Sequence, residues 1–140
     1  MLRRLTILLL TLYALLTAYS ALRLSVGQPN PAFFTPLLTL IGFAFATLHA
    51  GQRLGWRLAL LLVVLCFTVS LLFESVGVAT GLVYGPYHYT EKLGPRFLGL
   101  VPYLIATAWF MMMYPSLVIA QGLAGLAGRS GLAIRSILAV

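Results

Sequence analysis

The chain has 140 residues, 61% of them hydrophobic and only 8% charged, with nine Lys and Arg against two acidic residues for a formal charge of +7. A soluble domain carries about a quarter charged residues, so this composition cannot cover a water-facing surface. A nucleic-acid role is excluded as well, because the cations sit in short gaps between apolar runs, where membrane topology places them.

A transmembrane helix needs about 20 apolar residues, and four runs are long enough. The first covers 5–22, behind the basic start "MLRR". It is long for a signal peptide and lacks a clean small-residue cleavage site, so it reads as a retained helix. The second covers 33–50, the third 58–84 and the fourth 98–120. Residues 121–140 read as a tail or a truncated fifth helix. Continuous apolar runs, in place of strict alternation, exclude a transmembrane β-barrel. The expectation is therefore all-α: one integral membrane domain, a polytopic bundle of about four spanning helices. Its single cysteine, Cys66, excludes an internal disulfide and reads as packing.

Orientation follows from the cations. With the N-terminus inside, the inner side carries Arg3, Arg4, Arg53, Arg57, Arg129 and Arg135, and the outer side Arg23, Lys92 and Arg96. That division favours a cytoplasmic N-terminus and places the loop after the third run outside.

Both acidic residues fall in one block, "ESVGVATGLVYGPYHYTEKLGP", starting at Glu74. At 3.6 residues per turn, Ser70, Glu74, Gly77, Gly81 and Tyr84 share one stripe of the third helix. Glu74 precedes the Gly85-Pro86 break by about ten residues, or ~15 Å of helix, which puts it within the hydrocarbon. A carboxyl at that depth faces a cavity or a partner, burial favours its neutral form, and a protonated buried carboxyl is a ready general acid. A purely structural hydrogen bond to a neighbouring helix is the competing reading. In the following loop, Tyr87, Tyr89 and Lys92 taken singly read as an aromatic belt with solvated charge, while His88 has the chemistry of a proton relay. His49 and His88 lie on different segments and there is no aspartate, so no metal site is expected. In the fourth helix, Tyr103, Thr107, Phe110 and Tyr114 fall on one face by spacing, and Pro115 is expected to kink it.

The ordered elements Glu74, Gly77, Thr80, Gly81, Gly85, Tyr87, Tyr89, Leu93, Gly94, Pro102, Ala108, Trp109 and Phe110 resemble a pattern of the membrane carotenoid-biosynthesis proteins, the family that includes carotenoid hydratases. The match covers about Glu74 to Ser116, with "LHAGQRLG" a fainter echo. Members are usually longer, so the chain reads as shortened at its C-terminal end. The resemblance implies a bacterial or archaeal membrane protein of the hydratase (lyase) type, adding water to the acyclic end-group double bond of a carotenoid. It implies no cofactor and no metal. Glu74 is then the expected acid, with His88 or Glu91 reprotonating it. Gly77, Thr80, Gly81, Tyr84, Tyr87, Tyr89, Trp109 and Tyr114 line the substrate, their rings stabilising a cation. The expected partners are a carotenoid and membrane lipid, with no nucleic acid; a second copy or a membrane-complex subunit is left open. The alternative reading is a non-catalytic carotenoid-binding or assembly subunit of a pigment–protein complex.

Overall fold

A backbone in hydrocarbon must satisfy its own polar groups, and helices do so within a single segment. The computed structural model follows that requirement. It describes residues 1–82 and 85–138, with side chains as far as Gly125. Four helices are long and apolar enough to cross a membrane: α1 (Leu2–Ser25), α2 (Phe34–Leu54), α3 (Trp56–Thr80) and the Tyr103–Gly125 stretch of α4 (Tyr103–Leu138). Between α3 and α4 lie a short 3-10 turn (Glu91–Leu93) and two strands, β1 (Arg96–Phe97) and β2 (Val101–Pro102). The strands pair antiparallel with Arg96 opposite Pro102. Leu98 and Gly99, both at positive φ, turn the chain between them.

α2 is the central helix, packing against α1, α3 and α4. Its buried Gly42, Ala46 and Ala50 recur every fourth residue, a small-residue stripe that lets neighbours approach closely. Into that stripe, and against Ala59 of α3, α4 inserts Phe110 and Tyr114, with Phe110 fully buried and Tyr114 nearly so. α1 is peripheral: Thr6 is its one buried residue, and Gln52 of α2 donates to the Thr6 hydroxyl.

Several boundaries differ from the sequence reading. α2 runs on to Leu54, and Gly55 alone, at φ 83°, links it to α3. The reversal is this tight because Gly51 has no side chain: a Cβ there would meet the Trp56 ring at 2.8 Å. α3 stops at Thr80, not near residue 84, because Gly81 adopts the left-handed conformation, φ 70°, and its N–H closes on Gly77 O. That is a glycine helix stop, so Gly81 caps the stripe and is not part of it. The fourth helix begins at Tyr103, since 96–102 form the hairpin. It continues through Pro115 to Leu138 in place of a separate tail or fifth helix.

The Gly51–Trp56 contact yields a stability test. Gly51→Ala forces the ring aside and should cost about 1–3 kcal/mol, the usual range for overpacking. Gly122→Ala, with nothing within 4 Å of the added carbon, should leave the melting temperature level or slightly higher. Equal thermal shifts in detergent for the two variants would remove the contact as the determinant of the turn.

Candidate functional site

A carboxyl buried in an apolar bundle needs donors, and those that reach Glu74 come from outside α3. Glu74 is 5% exposed and receives three. The Trp109 indole of α4 donates to Oε1 at 2.9 Å. The Tyr89 hydroxyl donates to Oε2 at 2.8 Å, and the Tyr87 hydroxyl donates to the same oxygen. The two tyrosine rings meet edge to face, 5.5 Å between centroids. Because a phenol accepts as readily as it donates, the cluster also accommodates a protonated Glu74 whose O–H points at a tyrosine oxygen. The Tyr89 phenol is pushed well above its usual pKa, first by burial and then by the Glu74 hydrogen bond.

Both tyrosines come from the loop after α3, which is fixed by Arg96. Its guanidinium donates to the Tyr89 carbonyl at 2.8 Å and pairs with Glu91 at 2.7 Å. Arg96 is itself placed by the β1–β2 ladder, and Tyr103 N–H donates to Pro95 O at the start of α4. The hairpin, the guanidinium and the tyrosine pair thus form one continuous support for the carboxyl.

Two cavities meet at this point. One is an open apolar groove of about 470 Å³ between α3 and α4, lined by Leu62, Leu65, Cys66, Val69, Ser70, Phe73, Glu74, Trp109 and Met113. Its α3 side is an i, i+3/i+4 stripe running from Leu62 to Glu74, roughly 18 Å at 1.5 Å per residue. The other, about 260 Å³, lies on the loop side and is lined by Glu74, Tyr87, Tyr89 and Trp109. Glu74 and Trp109 belong to both. Hydrocarbon thus has a place on one side of the carboxyl, and on the other a smaller opening is edged by the carboxyl, two phenols and the indole.

The structure brings Glu74, Tyr87, Tyr89 and Trp109 together, and places the other expected site residues that it describes elsewhere. Tyr114 turns toward α2, where its hydroxyl lies 2.8 Å from His49 Nδ1. At 100° per residue, Trp109 and Tyr114 stand about 140° apart around α4, so they cannot both face Glu74. Gly77 is buried on α3, but it lines neither cavity. The Thr80 side chain is exposed and returns to Val76 O, and Gly81 is the helix cap. His88 is exposed, and Glu91, with a side chain 91% exposed, pairs with Arg96 away from the carboxyl. Tyr84 lies outside the described residues. Among the described residues no three His, Cys, Asp or Glu side chains gather as a metal site requires. Sequence reading passed over Arg96 and the groove. The groove was present as the apolar stripe leading to Glu74, whereas the role of Arg96 depends on a fold-back that no spacing announces.

The family model described as carotenoid biosynthesis protein matches residues 34–140, most of the chain, and the chain belongs to that family. No curated protein and no solved structure matches it.

The Arg96 clamp is testable without any substrate. Arg96→Met should free the loop and let the Tyr89 phenol rehydrate. Its ionisation then moves down toward the ordinary tyrosine value near 10, seen as an earlier rise of tyrosinate absorbance in an alkaline titration. Tyr89→Phe in the Arg96→Met background should abolish that early component. An unchanged titration in Arg96→Met would show that the loop is held without the guanidinium.

Proposed function

We propose, from its membership of the carotenoid biosynthesis family, that the protein is a carotenoid hydratase and that Glu74 is its acid. The supporting observation is the position of this one carboxyl at the seam between an apolar groove and a small open cavity where two phenols and an indole surround it. Hydration of an end-group double bond needs that arrangement, because the alkene arrives from lipid and water does not.

The polyene lies in the α3–α4 groove with its acyclic end at Glu74. The carboxyl proton passes to the less substituted alkene carbon, breaking the O–H bond and forming a C–H bond, and leaves a tertiary cation and a carboxylate. The Trp109 ring, part of the groove wall, stabilises the cation through its π face. Tyr87 and Tyr89 hydrogen-bond the carboxylate that forms. Water from the loop-side cavity adds to the cation, and the proton it sheds returns to Glu74, directly or through a phenol. The sum is one water across one double bond, with the acid regenerated. Tyr87, Tyr89 and Trp109 are thus the residues proposed to act with Glu74. His88 and Glu91 face away and are assigned no proton transfer.

This reading puts the loop on the outer side of the membrane, as the distribution of cations favours. In a Cys66→Ser background, Lys92→Cys should react with an impermeant maleimide on intact cells and Arg57→Cys should not. The reverse pattern overturns the orientation.

The mechanism is tested at Glu74 with solubilised protein and an acyclic carotenoid. Glu74→Gln keeps shape and hydrogen bonding but cannot supply a proton. Carotenoid should remain bound while hydration falls by a factor of about 10² or more, the scale of a lost general acid. Full activity in Glu74→Gln removes Glu74 from the reaction. Bound carotenoid with no hydrated product in the wild type supports the non-catalytic binding subunit in place of the enzyme.

A further inference from the structure

At the opposite end of the bundle from Glu74, α1 and α2 part to form a second cleft of about 350 Å³, and it is amphiphilic. Arg3, Thr6, His49 and Gln52 supply polar groups, while Leu10 and Phe45 make an apolar wall deeper along the helices. Its polar floor is built: Gln52 Nε2 donates to Thr6 Oγ1 at 2.6 Å, and Thr6 donates on to Leu2 O. The His49 ring is fixed from two sides. Its Nδ1 meets the Tyr114 hydroxyl at 2.8 Å, and Phe45 stacks on it with centroids 5.9 Å apart. Nε2 is left with no hydrogen bond among the described residues.

The charge at this cleft has no counterpart in the chain. Its two acidic side chains both lie at the other end, Glu74 under its three donors and Glu91 on Arg96. Among the described residues Arg3 therefore has no carboxylate to pair with. An arginine, an imidazole nitrogen and an amide around one opening suit a phosphate oxygen cluster. The apolar wall just below suits the first methylenes of an acyl chain.

We propose that the α1–α2 cleft binds an anionic phospholipid, with the phosphate at Arg3 and His49 and the chain along Leu10 and Phe45. The site is separate from the Glu74 groove and does not depend on what that groove does. Arg3 supplies the charge, and Gln52 and Thr6 close the floor beneath the phosphate.

The test uses the full chain in neutral detergent, with bound lipid measured by native mass spectrometry. Phosphatidylglycerol, phosphatidylcholine and inorganic phosphate are each titrated onto wild type, Arg3→Gln and Arg57→Gln. Arg57 is exposed at the same end but does not line the cleft, so it reports general surface charge. Wild type should retain one phosphatidylglycerol in preference to phosphatidylcholine. Arg3→Gln should weaken that binding roughly tenfold, as loss of one charged hydrogen bond does, and Arg57→Gln should leave it unchanged. Equal weakening in both variants, or no preference between the lipids, overturns the proposal. Saturable binding of inorganic phosphate that is lost in Arg3→Gln, without lipid retention, assigns the cleft to soluble phosphate and overturns the lipid.

Discussion

One carboxyl in an apolar bundle organises this molecule. Removing Glu74 from water without donors would cost several kcal/mol, and the donors it has all come from outside α3. Trp109 arrives from α4, which fixes how those two helices face each other. Tyr87 and Tyr89 arrive from the loop, which must therefore fold back over the bundle and not lie along the surface. The β1–β2 hairpin and Arg96 make that return path rigid. Gly81 stops α3 early enough for the chain to turn. Irregular backbone at such a place is tolerated where protein surrounds it, and here the tyrosine pair and the hairpin are that surround.

The packing of the helices serves the same arrangement from behind. Ala46 and Ala50 give α4 a smooth seat for Phe110 and Tyr114, while Gly42 leaves room for Met111. With those rings turned to α2, the α4 face bearing Trp109 and Met113 is left for α3. The same choice brings the Tyr114 hydroxyl to His49, so the groove and the α1–α2 cleft are linked through one helix orientation. The two ends of the bundle consequently differ in chemistry: a carboxyl under neutral donors at one, and at the other cations that meet no carboxylate among the described residues.

Much of this was legible in the sequence, and the parts that were not have a common cause. The spans were visible because hydropathy is a property of each segment alone. Glu74 stood out because an acid inside an apolar run is costly wherever the run ends up. Trp109, Tyr87 and Tyr89 were reached by resemblance; singly, the tyrosines read as an interfacial belt, because nothing local shows a loop folding inward. Tyr114 was placed with the wrong partners, although its 140° separation from Trp109 was there to be counted. The end of α3 was misjudged because Thr80-Gly81 resembles a helix interior in composition and becomes a stop only through the φ of Gly81. Residues such as Arg96, whose effect passes through another segment's carbonyl, leave no periodic trace.

The groove is polar at one end only. From Leu62 to Phe73 its wall is hydrocarbon, broken by Ser70 and Cys66, and the carboxyl stands at the far end. A rod-shaped guest can be seated with one terminus at Glu74, and its other terminus then has no chemistry to meet. A guest with two equivalent ends must leave the groove, turn end over end in the bilayer and re-enter before the second can be served. If the guest is a long polyene hydrated at Glu74, as proposed, that somersault crosses the membrane midplane, and the half-modified molecule is released between two separate encounters.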